Sequence, residues 1–317
     1  MSELSFVSVI VPMFNEAENV QNTVTEIVTV LEKHSVNWEL LVVDDGSTDL
    51  TSTIARDMAQ SDSRIRVLQH PRNLGPGQAL RTGFKNARGD VIVTIDADLS
   101  YDPEEIVTLV ETLKNTGVDI VLASPYAKGK VTGVPLHRLI ISRFGNIVLG
   151  YALKSNIKTF TGIFRAYNKK TLDHLDLKSS GKEIEPEIIS KAMAMGFELI
   201  EVPAELRGRE RGTSKFSTRK AIMAHLRFSL EQRPMMFFAF VGIVLFLLGV
   251  VANLYLLYEL VFLHLGIMRP ILIFGTLMLI AGIQTFMFGI MSDQLMLLRS
   301  DILRNRREIR ESSEHRK

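Results

Sequence analysis

Val91-Ile-Val-Thr-Ile-Asp96-Ala-Asp98 is the stretch whose reading decides the fold. Four of its first five residues are apolar and β-branched, which suits a strand buried in a parallel sheet. The strand ends on two carboxylates. Alternate residues of an extended chain point the same way, so Asp96 and Asp98 can aim at one spot beyond the strand's C-terminal end. In open α/β sheets ligands bind at that edge. Two close carboxylates suit a hard divalent ion that keeps waters and bridges phosphates. The competing reading is a plain turn, since Asp is common after strands and Asp102 opens a helix nearby.

Working outward, the same alternation recurs. Val7 to Val11 reads as a first strand, ending at Pro12-Met-Phe14-Asn15-Glu16. Val20, Val24, Ile27, Val28 and Leu31 then mark one face of a helix. Glu39 to Val43 is a second strand, ending at Asp44-Asp45-Gly46-Ser47-Thr48-Asp49, where Ser47 or Thr48 can cap the next helix. Ile65 to Gln69 is a third, followed by Asn73-Leu-Gly75-Pro-Gly77 and a helix through Ala79, Leu80 and Phe84. Asp102-Pro103-Glu104-Glu105 opens a helix with Asp as cap, Pro at the first position and Glu three after the cap. Asp119 to Ala123 is a further strand. Pro186 to Met195 reads as a helix and Glu198 to Val202 as a strand. This order predicts an α/β fold with a doubly wound, mostly parallel sheet. Gly75-Pro-Gly77 has Leu80 where a dinucleotide fingerprint needs its third glycine, and it follows the wrong strand, so its glycines read as turn and packing residues.

The 317 residues suffice for one large domain and something extra, and a net charge of +2 does not point to nucleic acid. With no cysteine, a disulfide framework, a Cys zinc site and a Cys nucleophile are excluded. The seven histidines show no metal-ligand spacing, and His70, His137 and His225 read as ordinary polar positions. The N-terminus has no basic region followed by a long apolar run, so it does not read as a signal peptide.

Two apolar runs dominate the last third. Residues 235–258 and 271–291 carry no charge, and spanning the hydrocarbon core takes about 20 apolar residues. They predict a transmembrane hairpin. Arg219, Lys220, Arg227 and Arg233 precede it and Arg299, Arg304, Arg306, Arg307 and Arg310 follow it, while the linker has only Arg269. The positive-inside bias then puts both ends, and the α/β domain, in the cytoplasm. Ile222, Leu226 and Leu230 with their basic neighbours read as an amphipathic helix at the membrane surface. The expected organisation is a domain over 1–216, a juxtamembrane helix over 217–234, the hairpin over 235–291, and a basic helix or tail over 292–317.

Three strand ends place acids on one side of the sheet: Glu16, Asp44 with Asp45, and Asp96 with Asp98. A nucleotide sugar would use them well, with carboxylates accepting from base and ribose and a metal neutralising the diphosphate.

Val9-Ile-Val-Pro12-Met-Phe14-Asn15-Glu16, Val43-Asp44-Asp45-Gly46-Ser47-Thr48-Asp49, Asn73-Leu-Gly75, Asp96-Ala-Asp98-Leu and Arg211-Gly212-Thr-Ser214-Lys215 occur in that order. In this the chain resembles the family-2, GT-A-fold inverting glycosyltransferases, and within them the polyprenyl-phosphate hexose synthases, over residues 5 to 220. The resemblance implies that Pro12, Phe14, Glu16, Asp44 and Asp45 border the nucleotide. Asp96 and Asp98 would serve ribose, diphosphate and an Mg²⁺ or Mn²⁺ ion. Arg138 and Ser142 would hold the lipid phosphate, with Arg207, Arg211, Ser214 and Lys215 in a basic loop that closes over the diphosphate. Among these, Asp98, Arg211 and Lys215 are the expected catalytic residues, and Glu187 matches an acidic helix position near the acceptor. The implied reaction moves one hexose from a nucleotide sugar, UDP-glucose in preference to GDP-mannose, to polyprenyl phosphate with inversion. The bacterial branch shares the two-span hairpin and suggests a tetramer.

Three positions depart from the family pattern. Pro125 stands where an arginine is common, Ser100 where a metal-motif Gln is common, and Thr159 where an acid is common. No base is required for the implied chemistry: a phosphate monoester has a second pKa of about 6 and is already nucleophilic near neutral pH. It has to be held in line while leaving-group charge is neutralised. Two alternatives stay open, a transferase acting on another lipid or glycan, and an inactive homologue that binds nucleotide sugar at the membrane.

Overall fold

A computed structural model describes residues 6–134, 136–153, 155–208, 234–263 and 269–314. The chain divides into two units, Met1–His225 and Leu226–Lys317.

The first unit is built on a seven-stranded sheet: β1 (Val7–Met13), β2 (Trp38–Asp44), β3 (Ile65–Gln69), β4 (Val91–Thr94), β5 (Ile120–Ser124), β7 (Arg165–Asn168) and β8 (Leu199–Pro203). Their spatial order is β3-β2-β1-β4-β7-β5-β8. A second ribbon pairs β6 (Lys130–Thr132) with β9 (Glu205–Arg207) in parallel. Helices α1 (Val20–Lys33), α2 (Thr51–Ser61), α3 (Pro76–Asn86), α4 (Glu105–Thr116), α5 (Leu136–Leu153), α6 (Lys169–His174) and α7 (Ile184–Ala194) connect the strands. Every residue of β2 and β4 is buried, as near-continuous apolar strands covered on both faces must be.

The chain steps outward from β1 to β2 to β3, then returns to place β4 on the other side of β1. That reversal is a topological switch point, and a crevice opens there at the strands' C-terminal ends. The one antiparallel strand of the large sheet, β7, lies between β4 and β5. It is short and carries a fully buried arginine, Arg165, so nothing in its sequence pattern marks it as central.

Two expected caps turn out differently. Ser47 accepts from Asn15 N at 2.8 Å and is not a helix cap; Thr51 N at the start of α2 donates instead to Asp49 Oδ1 at 3.0 Å. Asp102 does accept from Glu104 N at 3.0 Å, but Glu105 accepts from Glu205 N, also at 3.0 Å, and anchors the β9 ribbon. A carboxylate serves whichever amide is left unpaired, and the β9 amide is the one tertiary structure supplies.

The second unit holds two helices long and apolar enough to cross a membrane. They are α8 (Pro234–Tyr258), continued by a π-helical turn at Glu259–Leu263, and α9 (Arg269–Glu314). Glycines let the two backbones touch: a Cβ on Gly282 would lie 2.6 Å from Phe246 N, and one on Gly249 2.7 Å from Leu279 N. The stretch after residue 291, which reads in sequence as a basic helix or tail, is helical to Glu314, and α9 runs without a break for 46 residues. Residues 217–233 of the expected juxtamembrane helix lie outside the described residues.

Candidate functional site

A cleft of about 710 Å³ opens at the switch point. From β1 and the turn after it come Pro12, Phe14 and Glu16; from the turn after β2, Asp45; from the turn after β4, Asp96 and Asp98. Ser142 of α5 stands across from them, with Tyr126, Thr161, Lys182 and Glu185 completing the wall. Seven of the residues expected from sequence therefore share one cavity.

Two turns are stapled together to make the nucleotide side. Asn15 sits in the left-handed region (φ 52°), Glu16 N donates to Thr51 Oγ1 at 2.8 Å, and Thr48 N donates to Asn15 Oδ1 at 2.7 Å. Gly46 is obligatory here. Its φ is +71°, and a Cβ would lie 2.3 Å from the backbone carbon of Arg72. Asp44 is fully buried; its Oδ1 accepts from Ser47 N at 3.0 Å, and its Oδ2 has no hydrogen-bond partner among the described residues. Asp45 works on the fold as well as facing the cleft. Its Oδ1 accepts from Leu74 N at 2.9 Å and lies 2.7 Å from His70 Nδ1, and its Oδ2 accepts from Gly75 N at 2.8 Å. His70, an unremarkable polar position in the sequence, thus aims Asp45, and Thr82 Oγ1 lies 2.9 Å from its other nitrogen.

The turn Asp96-Ala-Asp98-Leu-Ser100 is strained, with Leu99 at φ 50°. Asp98 Oδ1 accepts from Ser100 N at 3.1 Å and from Ser100 Oγ at 2.6 Å, so the Ser100 hydroxyl serves the carboxylate and is not presented as a ligand of its own. Among the described residues no group of three or more His, Asp or Glu side chains could enclose a metal. A pair of carboxylates facing one open cleft fits an ion that takes its remaining ligands from water and substrate oxygens. Tyr101 packs beside them on Phe164, ring centroids 5.1 Å apart. Burial, and then the charge of Asp96, hold its hydroxyl neutral far above the usual range.

The opposite wall is braced from below. Fully buried Arg165 donates from Nη2 to Phe160 O at 2.8 Å and from Nη1 to Glu185 O at 3.0 Å. The same Nη1 is 3.1 Å from Glu185 Oε2, but that oxygen is too poorly aligned to count as hydrogen-bonded. Burial pushes the Glu185 carboxyl up to about 7, against the opposing charges of Arg165 and Lys182. Asn146 accepts from Phe160 N at 2.9 Å, and Tyr126 donates to Ser142 Oγ at 2.9 Å.

The remaining expected residues stand apart. Glu187 is buried in α7 and is not part of the cleft wall. It accepts from Lys178 N at 3.0 Å, Ser179 N at 2.8 Å and Lys191 Nζ at 2.6 Å, and closes the loop before the helix. Burial opposes its ionisation, but these donors outweigh burial and lower its pKa. The acid of α7 that reaches the cleft is Glu185, whose setting in Lys182-Glu-Ile-Glu-Pro reads in sequence as a solvated helix start. Arg207 pairs with Asp102 at 3.1 Å, away from the cleft wall, and its N donates to Ser100 O at 2.8 Å. Arg138 belongs to α5, but its side chain lies outside the described residues, as do Arg211, Ser214 and Lys215 entirely.

Known proteins resemble this chain in sequence and in fold. The model of glycosyl transferase family 2 matches residues 8–176. A dolichol-phosphate mannosyltransferase of Pyrococcus furiosus is 37% identical over 224 residues, 70% of this chain and 62% of that protein. This chain thus spans under two thirds of that relative's length. A polyprenol monophosphomannose synthase of Mycolicibacterium smegmatis is 34% identical, covering 66% of this chain and 80% of its own. A dodecaprenyl-phosphate galacturonate synthase of Rhizobium johnstonii is 27% identical across 91% of this chain and 87% of its own. Among solved structures, glucosyl-3-phosphoglycerate synthase from Mycobacterium tuberculosis, crystallised with Mn²⁺, UDP and glucosyl-3-phosphoglycerate, superposes with a TM-score of 0.55. It is 21% identical and covers 72% of this chain and 80% of its own, a likeness of fold. With its family model matched across more than half its length and its acid-lined cleft at the switch point of a mostly parallel sheet, the chain belongs to glycosyl transferase family 2 and has the GT-A fold.

Proposed function

We propose that the protein transfers one hexose, glucose or mannose, from a nucleotide sugar to polyprenyl phosphate at the cytoplasmic face of the membrane, with inversion. The observation that carries this reading is the convergence of Glu16, Asp45, Asp96 and Asp98 on one cleft in a chain that also bears two membrane-length helices. The names of the Pyrococcus and Mycolicibacterium relatives support the acceptor class.

In this reading the nucleotide lies along Pro12, Phe14 and Glu16. Asp44 Oδ2, buried and unpartnered among the described residues, takes the base N–H, because a buried acceptor without a donor is costly. Asp96 and Asp98 would hold Mg²⁺ or Mn²⁺, whose charge neutralises the departing diphosphate. Ser142, held by Tyr126, receives the acceptor phosphate together with Arg138 and Lys215. Arg211, Ser214 and Arg207 belong to the same basic approach, and Glu187 supports it from the second layer. The acceptor phosphate is its own nucleophile, so positioning is the main demand on the protein. The basic flanks of the hairpin support a topology with both termini and the α/β unit in the cytoplasm.

A uronic-acid donor is the second reading. The Rhizobium relative aligns through the hairpin, and Lys182 lines the cleft where a sugar carboxylate could pair. The test is transfer from labelled UDP-glucose, GDP-mannose and UDP-galacturonic acid to polyprenyl phosphate in detergent, with Mn²⁺, with Mg²⁺ and with EDTA. Labelled lipid from one donor, abolished by EDTA and by Asp98→Ala, is the expected result. No labelled lipid from any donor, with nucleotide still bound, sinks the proposal.

A further inference from the structure

Two polar side chains of the cleft wall are buried and left without partners, and neither has a role in the transfer proposed for the cleft. Tyr101 is 4% exposed and Glu185 5%, and both line the cavity. The Tyr101 hydroxyl makes no hydrogen bond among the described residues. Its ring is fixed against Phe164, and the neighbouring turn has no side chain at Gly162, where a Cβ would lie 3.7 Å from Tyr101 Oη. The Glu185 carboxylate accepts no hydrogen bond either: Arg165 Nη1 lies 3.1 Å from its Oε2 but donates to Glu185 O. Buried polar groups are nearly always satisfied, so both call for a partner that the chain does not supply.

Their place in the cleft says what that partner is. The hexose is joined at its anomeric carbon to the diphosphate at Asp96 and Asp98, and the same carbon has to meet the acceptor phosphate at Ser142. The sugar ring therefore lies between those two sides. Tyr101 lies there too: Asp96 on one side, and Tyr126, which holds Ser142, on the other, both act electrostatically on its hydroxyl. Arg165 reaches it as well and links it to Glu185. Burial, and then the charge of Asp96, keep the tyrosine protonated, so it has a proton to donate. A carboxylate accepts, and the hydroxyls of a hexose do both.

The charge of the wall narrows the class of sugar. Glu16, Asp45, Asp96, Asp98 and Glu185 line the cleft against Lys182 alone among the described lining residues. Lys182 is no free counter-ion for a sugar carboxylate, because its charge already acts on Glu185. A uronate would set a like charge beside Glu185, and like charges brought together in a desolvated site are costly. We propose that Tyr101 and Glu185 form the hexose subsite, each hydrogen-bonding a hydroxyl of the donor sugar, and that they restrict the donor to neutral hexoses and exclude uronates. The proposal rests on the cleft being a nucleotide-sugar site.

The experiment measures equilibrium binding to the full chain in detergent at pH 8 with Mn²⁺ and no acceptor, for UDP, GDP, UDP-glucose, GDP-mannose and UDP-galacturonic acid. Tyr101→Phe removes one hydroxyl and keeps the ring on Phe164. Glu185→Gln keeps the shape of the side chain and removes its charge. Tyr101→Phe should weaken the neutral donor about tenfold and leave the matching diphosphate within about twofold. In Glu185→Gln the preference for the neutral donor over the uronate should fall about tenfold or more. A merely structural role would weaken donor and diphosphate alike, and that result overturns the proposal. So does a donor affinity that neither substitution moves, since water then satisfies both groups, and so does tighter native binding of the uronate than of either neutral donor. A native chain that binds none of the five ligands removes the nucleotide-sugar reading itself, and the proposal with it.

Discussion

At the residue scale Glu185 is the informative position. It is 5% exposed, lines the cleft, and has a carboxyl pushed up to about 7 from an ordinary value of 4.5. A carboxyl raised in the folded state favours the neutral form. Its stabilising contribution is full below about pH 4.5 and is lost as pH rises through about 7. Glutamine imitates the neutral acid and has no such loss. Glu185→Gln should therefore match the native chain near pH 4.5 and exceed it near pH 8, by on the order of 3 kcal/mol. Melting temperatures of both proteins in detergent from pH 4.5 to 8 provide the check, and parallel curves would refute the burial argument. The contrast with Asp96 and Asp98 shows what a sequence can carry. Those two are legible because a β-branched run announces their strand and its period fixes their direction. Glu185 follows Lys182-Glu-Ile and precedes Pro-Glu187, a charged run that says nothing of burial. Only the packing of α7 on Arg165 distinguishes it from Glu187.

At the element scale the parallel strands and their helices could be read, since each is a near-continuous apolar run or a 3.6-period stripe. The antiparallel β7 could not, because Arg165 occupies a position that propensity assigns to solvent and the buried partners that tolerate it are distant in sequence. The turn from Asn73 to α3 was half legible. Its glycines read as packing residues, and Gly75 and Gly77 do abut the backbone at Ser180 and Gly181. The clamp that sets this turn was hidden in His70 and Asp45, which are twenty-five residues apart. His70 lies outside the cleft wall, so its effect on donor binding has to pass through Asp45. His70→Ala leaves Asp45 with its two amide donors and removes a hydrogen bond to a charged group, which is typically about 1.5–3 kcal/mol. The donor KM should rise about tenfold or more with a smaller change in kcat. A kcat loss at unchanged KM would show that His70 does not act by aiming the nucleotide side.

At the scale of the whole molecule, the core of the α/β unit is closed within itself. The principal buried cluster runs from Val7 to Ala204 and packs on one face of the sheet, with every member in the α/β unit. The hairpin has packing of its own, built from glycine-mediated contacts between its two helices. Residues 1–225 expressed alone should therefore melt cooperatively and bind nucleotide as the full chain does. What they lose is confinement to the surface that holds the acceptor. Tethering turns the second encounter into an intramolecular one, so removing it should cut transfer to membrane-embedded polyprenyl phosphate about a hundredfold. Transfer to a short, water-soluble prenyl phosphate should change little, because that acceptor gains nothing from the tether. Measuring both acceptors with both proteins separates the roles. An equal loss on the soluble acceptor would mean that the hairpin shapes the catalytic cleft and does not merely deliver it to the membrane.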